Sequence, residues 1–234
     1  MQIIRFIFHY CFTKKIIFIF LFLFFLLISL FLMSIIGVNQ SMSYTEVIEN
    51  YSYNSIFYSK ILIVLLSCYL FMNIQNDKSL FTINFIVSSG KKKYIYLIDY
   101  IIINSIIIFL FTLITFILYF IIGVIVKNYF YLMLNIMYNF FVIFLLAIYY
   151  GLITIFLIQS IRNNIGLIIS FFLFLLSELL IDDFSILINI FKFILPNFSN
   201  SLIFSIEQLI EILILIIFLI LLNNLIFIKN DLIY

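Results

Sequence analysis

An all-α integral membrane protein is the fold class this sequence predicts, and three observations predict it. Mean hydropathy is +1.36 over 234 residues. Only 9% of the chain is charged, against about a quarter of an ordinary globular chain. Six apolar stretches have the length of a membrane span, about 20 residues at a rise of about 1.5 Å each. Helices with too few polar residues to cover a water-facing surface need a hydrocarbon solvent instead. Net charge is +2, which argues against a nucleic-acid partner.

The six stretches run about 16–38, 57–75, 97–124, 131–158, 165–181 and 208–228. The first has an apolar run too long for a signal peptide and no A-x-A site after it, so it is expected to be retained as the first span. No repeat or linker divides the chain, and residues 1–234 are expected to form a single transmembrane domain. The bias toward Ile, Phe, Asn, Lys and Tyr, with one alanine (Ala147) and no Trp, matches an A+T-rich coding sequence, so the phenylalanine count alone carries no functional weight. Cys11 and Cys68 show no CxxC spacing, and each reads as a small apolar side chain.

Basic residues set the orientation. With six spans, Arg5, Lys14, Lys15, Lys78, Lys91, Lys92, Lys93, Arg162 and Lys229 fall on one side, and Lys60, Lys127 and Lys192 on the other. The positive-inside rule then places both termini in the cytoplasm of a multi-pass cell-membrane protein. Arg5, Lys14, Lys15 and Lys91–Lys93 are the expected membrane anchors, drawn to anionic lipid.

Before the first span, Gln2, Arg5, His9 and Thr13 recur at spacings of 3, 4 and 4, a narrow polar stripe on an otherwise apolar helix. Such a helix lies in the headgroup plane. His9, the only histidine, has no metal or acid–base partner in sequence reach and reads as a solvated polar residue.

NDKSLFTINFIVSSGKKKY, residues 76–94, interrupts the apolar chain between the second and third spans. Asp77 suits a helix N-cap and Gly90 a left-handed C-terminal stop. One reading is a capped loop with a positive anchor. The other is a docking helix: Leu80, Phe81, Ile83, Phe85 and Ile86 spread around its axis, which suits a protein groove as well as a membrane face. SSGKK is not a phosphate loop, which would need Gly at Phe85 and Ser or Thr at Lys92.

Before the last span, Ser185, Asn189 and Lys192 recur at 4 and 3 in an apolar background that stops at Pro196. Ser205-Ile206-Glu207-Gln208 reads as a capping box opening the next helix. Together these predict an outer helical hairpin before the last span. Glu178, Glu207 and Glu211 near this end are candidate outer-gate residues, since acids close to a membrane core are costly and often functional; the plain alternative is that they sit at the water level.

This layout resembles the ABC-2-type permeases, the membrane subunits of many bacterial ABC exporters: an N-terminal interfacial helix, six spans, a coupling helix between the second and third, and an outer hairpin before the last. SSGKKK at 88–93 resembles the family's turn with a basic residue, while Asp99 stands near its second basic position. The resemblance implies a chain with no catalytic or metal site and no cofactor of its own. ATP and Mg would be bound by cytoplasmic ATPase subunits that receive the segment at 78–88, and two permease copies, alike or different, would form one transporter. Short members of this kind handle amphipathic peptides, including bacteriocins, lantibiotics and phenol-soluble modulins. An intramembrane enzyme would need a catalytic constellation that one histidine and no GxSG or HExxH cannot supply. A secondary transporter would show inverted repeats and broken spans. A non-transporting membrane scaffold or sensor subunit would keep a docking loop without a path.

Overall fold

The computed structural model describes residues 14–36, 44–75, 93–127, 133–161, 165–179 and 206–229. All of them are helical. They form α1 (Lys14–Ile36), α2 (Tyr44–Met72, closed by a 3-10 turn at Asn73–Gln75), α3 (Lys93–Lys127), α4 (Met133–Ile161), α5 (Ile165–Leu179) and α6 (Ile206–Lys229).

Five of the six helices are long and apolar enough to cross a membrane. The fifth expected span is the exception. Helix α5 has 15 residues, about 22 Å, short of a hydrocarbon core of about 30 Å. The expected 57–75 span also differs, because its helix begins at Tyr44 and its apolar window at Tyr51. Polar Glu46, Glu49, Asn50 and Asn54 disguise that start as a loop, but none of them breaks a helix. Helix α6 opens at Ile206, and Ser205 of the expected capping box lies outside the described residues. The interfacial helix expected before Lys14, the coupling helix at 78–88 and the outer hairpin lie outside the described residues.

Helix α4 is the centre of the bundle: 78% of its apolar window is buried, against 17% for α1 and 22% for α6. Side-chain contacts fix the helix directions. The Tyr51 hydroxyl donates to Tyr119 O at 2.8 Å and the Tyr100 hydroxyl to Leu70 O at 2.6 Å, so α2 and α3 are antiparallel. The ring pairs Phe109–Phe144 and Phe116–Phe140 make α3 and α4 antiparallel. Phe20 on Phe111 and Phe31 on Tyr119 run α1 parallel to α3. Thr154–Ser170 and Tyr150–Ser177 hydroxyl pairs set α5 antiparallel to α4.

Close approach comes from small residues, as between helices in lipid. Ser67 Oγ donates to Ala147 O at 2.5 Å. A Cβ built on Gly151 would fall 2.2 Å from the Phe71 ring, and one on Gly166 would fall 2.9 Å from the Ile158 backbone nitrogen. The outer surface is apolar: Phe18, Phe25, Met33, Ile168, Ile214, Phe218 and Leu225 are each more than half exposed. Water would penalise such a surface and hydrocarbon would not.

Candidate functional site

Polar side chains gather inside the bundle at two levels. One lies toward the end where α2 and α4 finish. Ser67 meets Ala147 O there, and Ser170 bridges Thr154 at 2.7 Å and the Cys68 sulfur at 3.6 Å. Thr154 also donates to Tyr150 O, and Tyr150 reaches Ser177 at 2.9 Å. This chain of hydroxyls joins α2, α4 and α5. Asn223 attaches α6 through a 3.1 Å bond from Nδ2 to Leu152 O. Asn223 Oδ1 is buried without a hydrogen bond among the described residues.

The second level lies nearer the opposite end. Ser52, Ser55 and Ser59 recur at spacings of 3 and 4 along one face of α2, all buried. Tyr51 stacks on Tyr119 at 5.1 Å with Phe31 edge-on to both, and the Tyr119 hydroxyl donates to Ser52 Oγ at 3.0 Å. Ser34 of α1 touches Ser55 at 3.4 Å. This cluster clamps α1, α2 and α3 together.

Lys60 is the one basic residue buried among the described side chains, at 6% exposure. Sequence reading counted it with the outer loops. The α2–α3 pairs instead put position 60 opposite position 110, near the middle of the apolar window Ile95–Val124, and Lys60 lies within α2's own window, Tyr51–Met72. Removing it leaves two basic residues, not three, on the side opposite the nine. A cation at the centre of a membrane span costs about 2.5–3.5 kcal/mol on insertion scales, and such residues usually mark functional sites.

Of the residues singled out by sequence, Lys14 and Lys15 open α1 and Lys93 opens α3. Because α1 and α3 are parallel, these three stand at the same end of the bundle. Glu178 is the penultimate residue of α5, and Glu207 and Glu211 lie in the first two turns of α6. Glu211 is exposed and within electrostatic reach of the Tyr149 phenol on α4. Arg5, Lys91, Lys92 and the coupling residues Leu80, Phe81, Ile83, Phe85 and Ile86 lie outside the described residues. Sequence reading placed Lys60 at the outer side and missed Asn104, Asn139, Gln159 and Asn223, all buried. The serine spacing in α2 was the available signal that this helix extends past Lys60 toward its N-terminus.

Among the described residues, no three His, Cys, Asp or Glu side chains gather in a way that could hold a metal. No family model matches the chain, and no curated protein matches it.

Proposed function

We propose that this chain is the membrane-spanning permease subunit of an ATP-driven ABC exporter of the ABC-2 type, moving an amphipathic substrate, most simply a peptide, out of the cell. The observation that carries the reading is the order of elements. Between α2 and α3 stands a segment with apolar anchors and the lysine run 91–93, at the end where Lys14, Lys15 and Lys93 also open their helices. Five helices of spanning length support the membrane part of the reading.

In this account both tails are cytoplasmic and the chain hydrolyses nothing. Two copies, or this chain and a second permease, sit above two cytoplasmic ATPase subunits that bind ATP and Mg. ATP binding closes the ATPase pair, and the segment at 78–88 passes that movement to α2 and α3. The bundle then exchanges inward and outward openings as a two-state element.

Purification from native membranes in mild detergent, with and without a non-hydrolysable ATP analogue, tests the reading. An ATPase subunit carrying a phosphate loop should copurify in equal number with the permease chains. A stable monomer that retains no ATPase with or without the analogue contradicts it.

A further inference from the structure

No further inference is drawn: the strongest candidate, the apolar outer face of α6 around Ile210, Ile214, Ile217 and Leu221, each more than half exposed, carries nothing because nothing in the structure shows what covers it.

Discussion

Gly151→Ala is the sharpest perturbation the packing offers. The added Cβ would stand 2.2 Å from Phe71 Cδ2 and 2.6 Å from Ser67 Oγ. Carbon–carbon contacts are attractive only near 3.5–4.0 Å, so something must move by about 1.3 Å or more. The Phe71 ring is fully buried and packs edge-on against Tyr100 at 6.2 Å, which leaves it little room to yield. Separating α2 from α4 would also stretch the Ser67–Ala147 bond. Overpacking costs about 1–3 kcal/mol, and an interhelical hydrogen bond in a membrane bundle about 0.6 kcal/mol more. The better helix propensity of alanine returns about 1 kcal/mol. The expected loss is about 1.6 kcal/mol, roughly a 15-fold drop in the folded-to-unfolded ratio. Cys68 supplies the assay: its thiol is fully buried and becomes reactive on unfolding. Thermal unfolding in detergent, followed with a thiol-reactive fluorophore after Cys11→Ser, should show a lower midpoint for Gly151→Ala. Phe71→Leu, which vacates the clashing ring edge, should restore part of the loss when combined with it. An unchanged midpoint, or a double variant no better than Gly151→Ala alone, would refute the close α2–α4 contact.

Gly166→Ala should act in the same direction, because its Cβ would meet the Ile158 backbone nitrogen at 2.9 Å and backbone cannot rotate away; the same thermal assay reads it. Asn223→Leu should leave stability unchanged or raise it by about 1 kcal/mol, since it removes a buried carbonyl oxygen that has no hydrogen bond among the described residues, along with one modest bond to Leu152; a lower midpoint would contradict this. Ser89→Cys, in a background without other cysteines, should resist an impermeant thiol reagent added outside intact cells and react once the membrane is opened. Reaction from outside would reverse the orientation assigned by the lysines.

The fold class and most helix positions were legible in the sequence because lipid-facing helices must be apolar all round over a fixed length. The boundaries of α1, α4 and α6 lie within three residues of those expected. The start of α2 was not legible, because hydropathy alone cannot separate a loop from a helix whose polar side chains are buried against neighbours. Ser52, Ser55 and Ser59 are polar by composition yet buried in the bundle. Lys60 was misplaced for the same reason, its depth following from how α2 pairs with α3, far along the chain. The length of α5 was nearly right, at 165–179 against 165–181, but its failure to match the hydrocarbon thickness emerges only beside its longer neighbours. Glu178, Glu207 and Glu211 could be placed near helix ends from sequence; that Glu211 faces outward while within electrostatic reach of Tyr149 could not.

The central claim is that this chain is driven through the segment at 78–88, and a matched pair of variants tests it most directly. In a helix over 78–88, Phe81 and Phe85 would stand one turn apart and would enter a single groove on the ATPase. Aromatic anchors of this kind carry much of an interface's energy, so losing either costs about 2 kcal/mol, roughly 30-fold in affinity. Lys91–Lys93 would hold the membrane end, each contributing about 1 kcal/mol toward anionic lipid. The measurement is ATPase retention by purified Phe81→Ala/Phe85→Ala against a Lys91→Gln/Lys92→Gln/Lys93→Gln variant, at equal membrane expression. The account predicts that the phenylalanine variant loses the ATPase while the lysine variant keeps it. Full ATPase retention by Phe81→Ala/Phe85→Ala would contradict it and reduce the stretch to a capped loop with a positive anchor.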